Sequence, residues 1–305
     1  MAKRQNTNTT VLAFMQIQIE QLRNSNRLGT AINYQKTMHN FAQFLNGKDI
    51  PFKSVTEHLI NSYNVYLQQR GMVRNSSSFY LRIMRAIYNK AIKQKLTKQT
   101  YPFADVYTGV DRTRKRAVSQ TVIASLYKLT FPQSSSLAFS RDLLIFSYCT
   151  RGMSFVDMAY LKKANLQDGY IIYSRQKTGQ QLSIKIEPLV GQIISKYHTS
   201  DIPFLFPIIT SQDSHIAYRQ YQHALNTYNR HLRIIAKMFP GEIKLTSYTA
   251  RHSWATAARN SNIPISVISA GMGHTTEQTT RIYLDSIENS IIDEANKRII
   301  TEIAL

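Results

Sequence analysis

Five residues in the second half of the chain have types, and an order, that would serve one reaction. Arg151 stands in "YCTRGMSFVDMAYL", Lys177 in "SRQKTGQQ" and Arg251 in "SYTARHSWAT"; His274 and Tyr283 lie nine residues apart in "GMGHTTEQTTRIYL". A phosphodiester can be broken with no metal when cationic donors clamp its nonbridging oxygens, a side chain attacks in line and an acid protonates the departing oxygen. That chemistry needs two arginines, a nucleophile and a general acid. Arginine suits the clamp because its planar fork holds phosphate oxygens bidentately and stays charged.

The bulk composition points to the same kind of partner. Lys and Arg number 38 against 18 Asp and Glu, a net charge of +20 and a pI near 10, which is the electrostatic footprint of a polyanion binder. Residues 1–110 carry 15 basic and 4 acidic side chains (+11) and residues 111–305 carry 23 and 14 (+9), so both halves are equipped to touch phosphate. With 305 residues and 43% hydrophobic content the chain is expected to form two globular domains. The lone Cys149 excludes an intramolecular disulfide or a multi-cysteine metal site, and no HExxH pattern stands in for one, so neither a metal nor another cofactor is expected. No run approaches a membrane span, and "MAKRQNTNTT" lacks the apolar core of a signal peptide. A cytoplasmic protein with no membrane partner is the expectation.

The elements that must position the five residues can be read from periodicity. Residues 28–45 place Ile32, Tyr34, Met38, Phe41, Phe44 and Leu45 at near-helical spacing. "SVTEHLINSYNVYL" offers a capping box from Ser54 to Glu57. "SSSFYLRIMRAIYNKAIKQKL" turns Leu81, Met84, Ile87, Tyr88 and Ile92 inward and leaves Arg82, Arg85, Lys90, Lys93 and Lys95 for the surface. A basic helical domain over residues 1–100 follows. The pattern breaks at "TKQTYPFADVYTGVDRTRKRAVSQ", which reads as a basic linker over 101–117. Helices resume at Ser119. Two β-rich runs then flank "RQKTGQQ", a hairpin signal, and helices return from about residue 188. The second domain, 118–305, is thus mostly helical with a small antiparallel β-sheet, and the whole is a mainly α, two-domain chain.

In this order and in these contexts the five motifs resemble the tyrosine recombinase, or phage integrase, family of site-specific DNA recombinases. That pattern is an arginine at a helix start, a hairpin lysine, H-x-x-R-H, then G-H followed nine residues on by a nucleophilic tyrosine. The match runs over residues 117–285, and the domain before it resembles the family's SAM-like core-binding domain. The resemblance implies catalytic roles for Arg151, Lys177, Arg251, His274 and Tyr283. Tyr283 would attack phosphorus to give a 3′-phosphotyrosyl link and a free 5′-hydroxyl. Arg151 and Arg251 would hold the nonbridging oxygens, His274 would donate a further hydrogen bond, and Lys177 would protonate the departing 5′ oxygen. Neither ATP nor a metal is implied, because the phosphotyrosyl link preserves the bond energy.

The sequence departs from that pattern twice. Tyr248 stands where H-x-x-R-H has its first histidine; a phenol donates hydrogen bonds but, ionising near about pH 10, is a poor proton acceptor, so Tyr248 is an auxiliary candidate. Three residues after Arg151, where the pattern has an acid, stands Ser154, and the acid is Asp157. His252 and Trp254 read as structural residues, and His215, His223 and His231 as polar helix residues. From about residue 285 the tail carries five acids against two bases and an apolar stripe, Ile287, Ile291, Ala295, Ile299 and Ile303; it fits a helix docking in trans on a neighbouring protomer. The expected partners are double-stranded DNA and a homo-oligomer, a tetramer on two DNA sites. The expected task is DNA inversion or mobile-element integration and excision. A DNA-binding protein with a decayed site and a type IB topoisomerase-like activity are the alternatives.

Overall fold

Helices dominate the computed structural model, which describes residues 9–111, 117–132, 135–199 and 201–284, the last three as backbone only. The chain divides into two compact units, one up to Thr113 and one from Arg114.

Four α-helices build the first unit: α1 (Val11–Asn24), α2 (Leu28–Phe44), α3 (Glu57–Gln69) and α4 (Arg74–Lys93). The expected stripe of α4 is realised, with Leu81, Met84, Ile87 and Tyr88 all buried, and they meet Phe41, Ile60, Tyr63 and Leu67 from α2 and α3 in one core. Inside this core the Tyr63 hydroxyl donates to Asn40 Oδ1 at 2.7 Å, so the phenol is not left unsatisfied. Helix α1 was not legible as a helix, yet it sinks Phe14, Met15 and Ile19 into the same core. Its first turn is capped from outside: Asp49 accepts from the backbone N–H of Leu12 and Ala13 at 2.8 and 3.1 Å. The start of α3 also differs from expectation. Ser54 ends a 3₁₀ turn, Phe52–Ser54, and Thr56 caps the helix by accepting from Leu59 N–H. Phe103 and Val106, from the stretch expected to be linker, are buried in this first core; residues 112–116 lie outside the described ones.

The second unit holds α5 (Gln120–Lys128), α6 (Ser136–Cys149), α7 (Phe155–Tyr160), α8 (Pro188–Tyr197), α9 (Ser214–Ala236), α10 (Thr249–Asn260), α11 (Ile265–Met272) and α12 (Glu277–Leu284). Its sheet is β1 (Leu166–Gln167), β2 (Tyr170–Ser174) and β3 (Gln181–Lys185), antiparallel in that order. Pairing of Ser174 with Gln181 leaves residues 175–180 as the hairpin loop. Alternation buries Ile171, Tyr173, Leu182 and Ile184 on one face of the hairpin. The buried α6 forms the centre, touching α5, α8, α9 and α10. A small separate cluster, Ala255, Ala258, Ile268 and Met272 with Trp254 against it, packs α10 on α11. No helix among the described residues is long and apolar enough to cross a membrane. The tail expected to dock in trans, from residue 285, lies outside the described residues.

Candidate active site

The site is assembled where the ends of α6, β2, α10 and α11 meet. Arg251, the third residue of α10, is 3% exposed. Burying a guanidinium is costly unless its donors are matched, and here they are: Nη1 donates to Gly152 O at 2.8 Å, and Nη2 to Met272 O at 2.6 Å and to His274 Nε2 at 2.9 Å. Three segments far apart in sequence are thereby fixed around one side chain.

Two glycines make that convergence sterically feasible. Gly152 has φ +73°, and a Cβ there would lie 2.6 Å from Arg251 Cα. Gly273 ends α11 in the left-handed conformation, with Gly273 N–H donating to Ala270 O and His274 N–H to Ser269 O, both at 3.0 Å. A Cβ at Gly273 would lie 2.7 Å from Arg175 Cδ. The two glycines of "TRG" and "GMGH" therefore set His274 and Arg251 face to face.

Arg151 does not open a helix. It lies in the turn between α6 and α7, at φ +60°, because Ser154 caps α7 and starts it only at Phe155. A non-glycine residue in this region carries roughly 1–2 kcal/mol of strain, and such strain clusters at functional sites. Its side chain passes over α11, with Cδ 3.6 Å from the position a Cβ on Gly271 would take. Among the described residues the Arg151 guanidinium forms no hydrogen bond or ion pair, in contrast to Arg251.

Arg175, the first residue of the hairpin loop after β2, is a site residue that the sequence motifs did not single out. It is 7% exposed, donates through Nη1 to Gly273 O at 2.6 Å, and its Nε stands 3.6 Å from Asp157 Oδ2, an ion pair rather than a hydrogen bond. Asp157 is satisfied on every side: Oδ1 accepts from Gln176 N–H at 2.8 Å and Oδ2 from Ser154 Oγ at 2.6 Å. Asp157, the acid that follows Arg151 in the sequence, thus supports Arg175 and the hairpin. The available signal was alternation, since Arg175, one residue past β2, continues the buried alternation of Ile171 and Tyr173. Tyr173 was also missed. It is 6% exposed, and burial, then the Asp157 charge, push its phenol up while Arg175, Arg251 and Arg151 pull it down; all three guanidinium groups act on this one ring.

His274 follows the α11 cap. Its ordinary value of 6.5 is pushed down to about 4, first by burial and then by the charges of Arg251, Arg175 and Lys177. It is neutral at physiological pH, with Nδ1 2.8 Å from the hydroxyl of Thr280 on α12. Lys177 is exposed in the hairpin turn, near enough for its charge to act on His274. Tyr283 is on α12, two turns after Glu277, and only its backbone is described. Tyr248, 49% exposed, precedes α10, and its hydroxyl makes no hydrogen bond among the described residues; its ring lies 6.2 Å from that of His252. Trp254 packs on the α10–α11 cluster as expected. Of the three α9 histidines, His215 and His223 are exposed, but His231 is buried and its Nδ1 is 2.8 Å from Ser140 Oγ. Among the described residues no group of histidine, cysteine and carboxylate side chains could hold a metal.

What this arrangement can do is offer an anion two fixed guanidinium groups, Arg251 and Arg175, and a neutral imidazole joined to the helix that carries a tyrosine. The comparisons place the fold around it. Residues 10–106 match the phage integrase SAM-like domain and residues 129–289 the phage integrase family. A lambda integrase dimer bound to a COC′ core site superposes with TM-score 0.64 at 15% identity, covering 90% of this chain and 95% of that one. The Tn1549 transposon integrase in complex with transposon right end DNA gives 0.64 at 14%, covering 96% and 100%, and a lambda integrase tetramer bound to a Holliday junction gives 0.65 at 14%, covering 91% and 78%. Comparison by sequence with curated proteins finds no match. The chain belongs to the phage integrase family of tyrosine recombinases, enzymes that cut and rejoin DNA at specific sites.

Proposed function

We propose that the cluster around Arg251 binds the scissile phosphate of duplex DNA and that Tyr283 attacks it. The observation that carries this reading is the convergence of Arg251 and Arg175 on the Met272–His274 turn, with His274 in turn bound to Thr280 on α12. Arg251 and Arg151 hold the nonbridging oxygens, and Arg175 positions the His274 turn through Gly273 O. The Tyr283 hydroxyl gives its proton to water as its oxygen bonds phosphorus and the bond to the 5′ oxygen breaks; Lys177 protonates that departing oxygen and regains a proton from water, leaving a 3′-phosphotyrosyl link and a 5′-hydroxyl. Attack by the 5′-hydroxyl of a partner strand reverses the step and releases Tyr283. Tyr248, exposed just before α10, serves as an auxiliary hydrogen-bond donor.

The first unit serves as the core-binding, DNA-contacting domain over about residues 1–100 with Phe103 and Val106 closing its core, the rest of the basic stretch up to 117 as linker and 118–305 as catalytic domain. The basic face of α4, including Arg85 and Lys93, suits contact with a phosphate backbone. Four protomers assemble on two DNA sites. The apolar stripe of the tail from residue 285 docks in trans, and an open cavity of about 320 Å³ floored by Phe139, Leu143, Phe155 and Tyr228 has the apolar character such a seat requires. The biological task is DNA inversion or the movement of an integrated element. Wild-type protein on a suicide substrate drawn from DNA flanking its gene should give a covalent adduct that disappears in Tyr283→Phe. Intact binding with no adduct would leave a DNA-binding protein whose site has decayed.

A further inference from the structure

The hydrogen bonds around His274 fix more than its place. Arg251 Nη2, 2.9 Å from Nε2, belongs to a guanidinium, which donates only. Nε2 must therefore be the bare nitrogen and Nδ1 must carry the proton, which it donates to Thr280 Oγ1 at 2.8 Å. Thr280 is fully buried, so this hydroxyl is held for the ring rather than offered to solvent. In this tautomer the imidazole has no proton to give at Nε2, the nitrogen that faces Arg251.

A phosphate that takes Arg251 Nη2 for itself removes the donor at Nε2 and puts an acceptor oxygen in its place. The ring can answer only by carrying its proton on Nε2, and then bare Nδ1 needs a donor. A carboxylate or carbonyl could not supply one. A hydroxyl can, by rotating about its C–O bond, because it donates as well as accepts. We propose that Thr280 is a positioning residue for the strand-cleavage reaction, whose hydroxyl accepts from His274 Nδ1–H in the unliganded site and turns to donate to Nδ1 when a phosphate is bound. One proton leaves Nδ1 for water and one from water is gained at Nε2, so the ring stays neutral and nothing is consumed. The charges of Arg251 from α10 and of Arg175 and Lys177 from the hairpin act on this ring; they oppose an imidazolium and favour the tautomer change as the route to a donor. Thr280 also lies three residues before Tyr283 on α12, so the same bond ties the nucleophile's helix to the phosphate clamp.

This inference rests on the recombinase reading of the site, and its test separates the two. Ring ¹⁵N shifts of His274 in the full-length, DNA-free protein, assigned against His274→Gln, should report Nδ1–H; Nε2–H in that state overturns the switch without touching the recombinase reading. Thr280→Val and Thr280→Ser should both keep Nδ1–H in the DNA-free state, because Arg251 still donates to Nε2. On a suicide DNA substrate Thr280→Ser should cleave within about threefold of wild type and Thr280→Val about tenfold more slowly, the scale of one hydrogen bond. A valine variant as fast as wild type, or a serine variant as slow as valine, refutes the role. Wild-type protein that forms no adduct instead defeats the recombinase reading, and the switch with it.

Discussion

Arg251 and Lys177 are both cations assigned to one phosphate, yet their surroundings are opposite. Arg251 is buried, and two backbone carbonyls and a histidine bind its guanidinium. Lys177 is exposed at the tip of a six-residue loop. The difference teaches that this site is built in two parts. A clamp whose Arg251 is anchored by folding on two backbone carbonyls has its backbone geometry set before charge develops, and only local hydrogen bonds change when phosphate binds. A proton donor on a turn has its geometry completed by the substrate.

That contrast can be broken experimentally, most severely at the clamp. Arg251→Lys keeps a charge but loses the fork, leaving Gly152 O or Met272 O without a donor. Single-turnover cleavage should fall about 10³-fold, the loss expected for a fixed oxyanion donor, and the urea midpoint should drop as well. A variant that cleaves within tenfold of wild type would mean that the fork is dispensable. Lys177→Ala should reduce cleavage about 10²-fold, the lower range for general acid catalysis, while shifting stability by less than about 0.5 kcal/mol, as for other surface substitutions. A leaving group that needs no proton, such as a 5′-bridging phosphorothiolate, should restore most of that rate; a rate that stays low would assign Lys177 to binding.

The smallest effect is on pH. His274 is held down at about 4 from its ordinary 6.5, so the folded chain binds fewer protons there than the unfolded chain. Stability that depends on the neutral ring is fully present above about 6.5 and is lost as pH falls toward 4. The thermal midpoint should decline across that window, and His274→Gln should flatten part of the decline. An identical slope in the variant would contradict the burial of a neutral imidazole.

The same two-part construction explains what the sequence disclosed. Helix α4 was legible because Leu81, Met84, Ile87 and Tyr88 repeat at helical spacing around a uniform core. Helix α1 was not, since the buried Gln18 interrupts its apolar stripe and its cap comes from Asp49, far along the chain. The order of Arg151, Lys177, Arg251, His274 and Tyr283 could be read because each falls in a short local motif. Arg175, Asp157 and Thr280 could not, because their roles depend on contacts between segments brought together by folding. A serine at 154 looked like a missing acid; in the structure it caps α7 and donates to Asp157, and the acid serves the hairpin.

The central claim is that the clamp serves a tyrosine on α12. Trypsin digestion of the trapped DNA adduct, followed by mass spectrometry, locates the linkage directly. The predicted result is a nucleotide on the peptide 282–297, which carries Tyr283. Linkage on peptide 245–251, which carries Tyr248 beside Arg251, would contradict it.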